Sequence, residues 1–162
     1  MTILGTTKDP YPLTFTITAE WPAPPSRVWQ IWSDPRQLER WWGPPTWPAT
    51  FEQHDVVVGG RSSYYMTGPE GEKARGWWQF VALDEPIRLE FEDGFSDESG
   101  TPDASMPTIQ VRVDLEEAGP GTRMTITSRF ATADQMERLV QMGMVEGMTA
   151  AMGQIDGLLA AG

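Results

Sequence analysis

The chain has 162 residues, 23 acidic against 12 basic side chains for a net charge of -11, one histidine and no cysteine. That length suits a single domain over residues 1–162, burying about 68–70% of its unfolded surface, and the charge lacks the basic footprint that nucleic acid or an anionic membrane surface requires. The absence of cysteine removes disulfides, thiol nucleophiles and thiolate metal sites, and a lone histidine cannot assemble the usual zinc set.

Residues 1–12 have neither a basic nor an apolar segment of the kind a signal peptide needs, and no run of about 18 apolar residues occurs. They are expected to be disordered or loosely packed, and the protein to be soluble and cytoplasmic. From Leu13 to Trp21 apolar residues alternate with threonines, the period of a half-buried strand ended by Pro22. Pro24-Pro25-Ser26 opens a helix with Val28, Ile31 and Trp32 on one face. After the Ser33-Asp34-Pro35 break a second short helix is predicted, with Asp34 as its cap, Pro35 at its first position and Trp41-Trp42 at its end before Gly43-Pro44.

Strands are then predicted over Phe51–Asp55, Arg61–Thr67 and Lys73–Leu83, with Gly59-Gly60 before the second and a Gly68-Pro69-Glu70-Gly71 turn before the third. Ile87–Glu92 alternates again, 93–107 is an acidic loop, and Thr108–Leu115 with Thr122–Phe130 forms a hairpin about Gly119-Pro120-Gly121. Thr132 with Gln135 forms a capping box for one long closing helix over Ala133–Leu159. The sum is an α+β fold of about seven antiparallel strands curved round a long C-terminal helix, with two short helices after the first strand. A sheet gripping one helix leaves a space between them where a ligand would sit.

At this point the order of elements resembles a known family. Pro25-Ser26-Arg27-Val28-Trp29, Asp34-Pro35, Trp41-Trp42-Gly43-Pro44, Gly59-Gly60-Arg61, Gly68-Pro69-Glu70-Gly71 and Met142-Gly143-Met144-Val145-Glu146-Gly147 look like those of the activator of 90-kDa heat-shock-protein ATPase homologue (AHSA-like) family. That family belongs to the START-like (SRPBCC, birch-pollen-allergen-like) superfamily. The resemblance implies a helix-grip fold with a cavity for an apolar small molecule. The co-chaperones that name the family carry a further amino-terminal domain, which this sequence does not match, so direct chaperone activation is not expected. No catalytic set like that of the superfamily's polyketide cyclases is matched.

The residues expected to meet a ligand are Trp41 and Trp42 at the end of the second helix, Tyr64, Met66, Trp78, Phe80, Phe91, Val111 and Met124 on the inner strand faces, and Met144 and Met148 on the closing helix. Each is weighed against ordinary core packing, and a bulge at Gly76 would exchange Trp77 for Trp78. Glycines 143, 147 and 153 each cost about 1 kcal/mol relative to alanine within a helix. Close packing is the favoured account of Gly147, and a cavity is placed near Met144 and Met148.

His54 and Asp55 are adjacent on a strand and point to opposite faces, so they form no dyad. His54 reads as a sheet-surface or cavity-edge residue. Glu90, Glu92 and Arg112 read as an outer face with cross-strand ion pairs. Asp93, Asp97, Glu98 and Asp103 fall in the acidic loop without the spacing of a calcium site, and that loop is read as a solvated gate.

The leading expectation is non-catalytic binding of a small apolar or aromatic molecule, with no cofactor, no metal, no nucleic acid and no membrane. Two alternatives stand beside it. One is a stress- or chaperone-associated protein-interaction module, with a chaperone as partner. The other is a cyclase- or aromatase-like enzyme using Tyr64 or Tyr65, to be recognised by a buried ionisable residue facing an open cavity. The sequence identifies no such residue, and monomer and homodimer are equally compatible with it.

Overall fold

The computed structural model describes residues 2–9 and 13–160. Eight strands form one antiparallel sheet: β1 (Thr2–Asp9), β2 (Thr14–Trp21), β3 (Ala49–His54), β4 (Arg61–Thr67), β5 (Lys73–Asp84), β6 (Arg88–Phe95), β7 (Ile109–Ala118) and β8 (Gly121–Arg129). Their spatial order is β1-β2-β8-β7-β6-β5-β4-β3. Helices α1 (Pro25–Ser33) and α2 (Pro35–Leu38) follow β2, and α3 (Ala133–Gln141), α4 (Met144–Met152) and α5 (Ile155–Ala160) close the chain. This is the helix-grip arrangement, with one strand more than the sequence predicts.

The extra strand corrects the expectation of a loosely packed start. Thr2–Asp9 pairs with β2 from Thr2 opposite Glu20 to Asp9 opposite Thr14, with one register shift between Ile3 and Gly5. The segment lacks strong alternation, so its pairing comes from the open edge that β2 offers to a chain returning beside it. Met1 and Pro10–Pro12 lie outside the described residues.

Strand parity sets the inner face as predicted. Phe15, Ile17, Ala19 and Trp21 of β2 are buried in alternation, as are Val111, Val113 and Leu115 of β7 and Met124, Ile126 and Ser128 of β8. Pairing of β4 with β5 runs unbroken through Tyr64 opposite Gly76. Trp78 therefore faces inward, fully buried, and Trp77 outward, where its ring lies against Gly94 and its Nε1 donates to the Phe95 carbonyl at 3.1 Å. The β5 bulge lies further on, between Phe80 and Ala82.

The single long closing helix is also corrected. It is three segments, because Gly143 takes a left-handed φ of 90° and caps α4 instead of continuing α3. A second interruption follows Met152, where Gln154 N–H donates to the Ala151 carbonyl at 3.1 Å in a tight turn. The start of α3 does follow the predicted cap, with the Thr132 side chain accepting from Gln135 N–H at 3.1 Å.

Polar ties hold the closing segments to the amino-terminal helices. Arg27 donates to the Gln37 side chain at 2.7 Å and to the Leu158 carbonyl at 3.2 Å. Gln154 Nε2 donates to the Gly43 carbonyl at 2.7 Å, joining the α4–α5 turn to the residues that follow Trp42. These ties set where α4 can lie over the sheet.

Candidate functional site

The site begins with the short helix that the sequence marks and the turn after it. Asp34 caps α2, accepting from Arg36 N–H at 3.0 Å through one oxygen and from Gln37 Nε2 at 3.0 Å through the other. Trp42 N–H donates to the Leu38 carbonyl at 3.0 Å, and Gly43 makes a close approach in which any side chain would run into the Trp47 carbonyl. Trp41 and Trp42 are thereby held at fixed orientations. Trp41 is buried and donates Nε1 to the Ile31 carbonyl at 3.0 Å. Trp42 is half-buried, and its indole N–H has no partner among the described residues.

Towards β3 the interior is filled by a cluster of contacting rings. Trp78 and Phe91 stack with centroids 4.0 Å apart, and Trp42 meets Trp78 edge-on at 4.8 Å. His54 is inside this cluster, edge-on to Phe51, Trp78 and Phe80. One ring nitrogen lies 2.6 Å from Ser62 Oγ and the other 2.7 Å from the Trp32 carbonyl. A carbonyl only accepts, so Nε2 carries the proton and Nδ1 accepts from the serine. Burial holds the His54 pKa below 6.5, and the residue is a satisfied interior histidine.

Towards α4 the interior is open. A cavity of about 220 Å³ lies between the helix and the sheet. Trp41, Trp42 and Pro44 form one wall, and Tyr64 and Met66 of β4 another. The floor comes from β6, β7 and β8 through Asp93, Ile109, Val111, Ile126 and Ser128. The roof is α4, through Met144, Gly147, Met148 and Ala151. A side chain added at Gly147 would meet nothing within 4 Å. That corrects the expectation of close packing: the missing side chain leaves space.

Of the residues expected to meet a ligand, Trp41, Trp42, Tyr64, Met66, Val111, Met144 and Met148 line this cavity. Trp78, Phe80, Phe91 and Met124 do not; they are buried core, with Met124 Sδ accepting from Trp32 Nε1 at 3.3 Å. Tyr65 is on the opposite face of β4, beneath the cations of Lys73 and Arg75 at 4.4 and 5.1 Å.

The residue missed is Asp93. Strand β6 continues through Phe95, three residues beyond its predicted end, so Asp93 stands on the inner face in step with Leu89 and Phe91. Tyr64 Oη donates to its Oδ1 at 3.1 Å. Asp93 is half-buried at the cavity wall, and among the described residues its Oδ2 accepts no hydrogen bond. Burial pushes the Asp93 carboxyl from 3.8 up to about 7, with Tyr64 and Trp78 opposing that rise. Burial and the Asp93 charge push the Tyr64 phenol well above 10. The Trp42 and Trp78 indoles stand near enough to favour the ionised pair, yet neither N–H completes a hydrogen bond. The signal available in the sequence was parity: Leu89, Phe91 and Asp93 are spaced by two, a spacing hidden by the turn-like Asp93-Gly94 pair.

The acidic loop keeps to itself. Asp97 Oδ1 accepts from Ser99 N–H, Ser99 Oγ and Thr101 N–H, and Asp103 Oδ1 from Ser105 N–H and Oγ. Residues 94–108 contribute nothing to the cavity lining. Among the described residues no three of His, Cys, Asp or Glu gather as a metal site would require. On the outer face Arg112 pairs with Asp114 at 2.9 Å, while Glu92 accepts from Gln110 at 2.8 Å.

The family model described as Activator of Hsp90 ATPase homolog 1-like protein matches residues 22–160. The chain belongs to that family. Among solved structures, a protein of Arthrobacter aurescens is 53% identical with a TM-score of 0.94, over 99% of this chain and 94% of that one. A protein of Mycobacterium smegmatis is 45% identical with a TM-score of 0.89, over 97% and 96% of the two chains. A Staphylococcus epidermidis protein is 25% identical with a TM-score of 0.82, over 99% and 94%. No curated protein matches. The Activator of Hsp90 ATPase homolog 1-like family and its helix-grip fold support a ligand-binding domain in general terms. Among the described residues no helix is long and apolar enough to cross a membrane.

Proposed function

We propose that this protein binds one small apolar or aromatic molecule in the cavity under α4, without covalent chemistry, and we read the Asp93–Tyr64 pair at its wall, a feature a cyclase- or aromatase-like enzyme would share, as a binding group. The observation that carries this reading is the open space at Gly147, walled by methionines and indole rings. A cavity of about 150 Å³ lined by apolar side chains already accepts benzene, so about 220 Å³ suits a single ring with a short substituent. Burying about 200 Å² of such a ligand yields about 5 kcal/mol before the cost of association, which corresponds to affinities no tighter than about 0.2 mM.

The test is native mass spectrometry of the purified protein, followed by thermal-shift screening against single-ring metabolites. A ligand at 100-fold over its Kd should raise Tm by about 5–10 °C. Gly147→Leu, which fills the space from the helix side, and Met148→Trp should both abolish the shift. No bound mass and no shift across a chemically diverse set would overturn the reading. The family description supports a second reading, a module that contacts a chaperone. In that case Gly147→Leu, at a position inside the fold, leaves partner capture unchanged.

A further inference from the structure

We propose that Asp93 is the recognition group of this cavity and that the molecule it takes is a cationic amine carried on a small apolar or aromatic body. This rests on the cavity being a ligand site and adds the ligand's chemical class. Asp93 is half-buried and accepts from Tyr64 Oη at 3.1 Å through Oδ1, while among the described residues no hydrogen bond to Oδ2 is formed, the nearby Trp78 indole N–H included. Among the described residues no lysine, arginine or histidine lines the cavity. A carboxyl in such surroundings is expensive to ionise unless a cation joins it, and the free oxygen is where an ammonium N–H would donate.

The walls fit the rest of such a ligand. Trp42 stands edge-on to Tyr64 with centroids 6.3 Å apart, and the indole faces of Trp41 and Trp42 attract a desolvated cation as they would any ring. The net charge of -11 concentrates cations near the protein and repels anions. A carboxylate ligand would meet Asp93 as a like charge, and a wholly apolar one offers it no donor.

The groups facing Asp93 from each packed element are few. Tyr64 comes from β4, Trp78 from β5, Ile109 from β7 opposite it in register, Trp42 from the turn after α2, and Met144 and Met148 from α4. Only Tyr64 can titrate, and its phenol is held well above 10, so it stays neutral wherever Asp93 changes charge. With the carboxyl at about 7, an ammonium must displace a proton at low pH. Its affinity should therefore rise about 30-fold from pH 5.5 to pH 8, in proportion to the ionised fraction.

The experiment is calorimetric or tryptophan-fluorescence titration of the purified protein with two matched pairs, benzylamine against benzyl alcohol and 2-phenylethylamine against 2-phenylethanol, with 3-phenylpropionate as the anion. The expected result is at least tenfold tighter binding of the amine than the alcohol at pH 8, no measurable binding of the carboxylate, and a steep pH profile for the amines only. Asp93→Asn should bring amine and alcohol to equal affinity while the alcohol still binds. Equal binding of both members of each pair at pH 8, or an amine preference that survives Asp93→Asn, would overturn the assignment and leave the apolar cavity standing. Failure of every probe, alcohols included, would overturn both readings. Should Asp93→Asn not fold, a flat amine profile in the unmodified protein overturns the assignment by itself.

Discussion

His54 and Asp93 both lie inside the grip of this sheet, and they have opposite surroundings. His54 sits half-buried among the rings, with both nitrogens in hydrogen bonds of 2.6 and 2.7 Å. Asp93 sits in the open half, half-buried at the cavity wall, with Oδ1 paired to Tyr64. Burial displaces both pKa values away from the charged form, so displacement alone does not separate structure from function. What separates them is where their partners come from: both ring nitrogens of His54 are paired within the protein, whereas the Asp93 carboxyl forms part of a cavity wall that a ligand donor would reach.

The comparison breaks hardest at the packed half. Trp78→Ala should cost about 3–5 kcal/mol in urea unfolding, since Trp78 is fully buried and joins rings from β3, β4, β6 and the turn after α2. A filling substitution in the open half, Gly147→Leu, should cost nothing comparable. Similar losses for both would mean that the two halves are packed alike.

pH sharpens the contrast, because the two groups act in opposite directions. Asp93 has its folded pKa raised from 3.8 to about 7, so its contribution is fully present below 3.8 and is lost as pH rises towards 7. Asp93→Asn should accordingly stabilise the fold by about 2–4 kcal/mol at pH 8 and leave it unchanged near pH 3.5. His54 has its folded pKa lowered below 6.5, so its contribution is present above 6.5 and is lost as pH falls through the folded value. His54→Phe should remove that acid-side loss, at a cost of about 1–3 kcal/mol at pH 8 for the orphaned Ser62 hydroxyl and Trp32 carbonyl. Denaturant midpoints measured from pH 3.5 to 8 check both, and parallel pH profiles for the two variants would contradict the contrast.

The smallest effects lie on the closing helix. Gly147→Ala should stabilise by about 1 kcal/mol, because a Cβ there meets nothing and alanine favours the helix. Gly143→Ala should destabilise by about 1 kcal/mol, because φ is 90° at that position. Thermal midpoints of the two variants should move apart, and movement in the same direction would sink the distinction.

Much of this was legible beforehand. Alternation placed Trp78, Phe91 and Val111 inward, and Asp34-Pro35 placed the start of α2, because period and capping are local properties; α2 ends at Leu38, so Trp41 and Trp42 stand in the turn after it and not at its end. The site was only half legible. Met144 and Met148 were expected at the cavity and Gly147 was expected to pack closely, whereas the same helix face carries all three along open space. Asp93 was grouped with Asp97 and Asp103 because Asp-Gly reads as a turn, and only pairing with β5 and β7 keeps it in a strand.

By itself, then, the amino-acid order determined the element types from Leu13 onward, the inner face of each strand and the family resemblance, since each depends on spacings within a few residues. Tertiary structure alone decided that Thr2–Asp9 would extend the sheet, that the closing helix would divide at Gly143, and that some rings would fill the interior while others left a gap. It also brought Tyr64, from one strand, to Asp93, two strands away in the sheet. Those outcomes depend on volumes and partners supplied by residues remote in the chain, and no local period encodes whether the space between two faces will be filled.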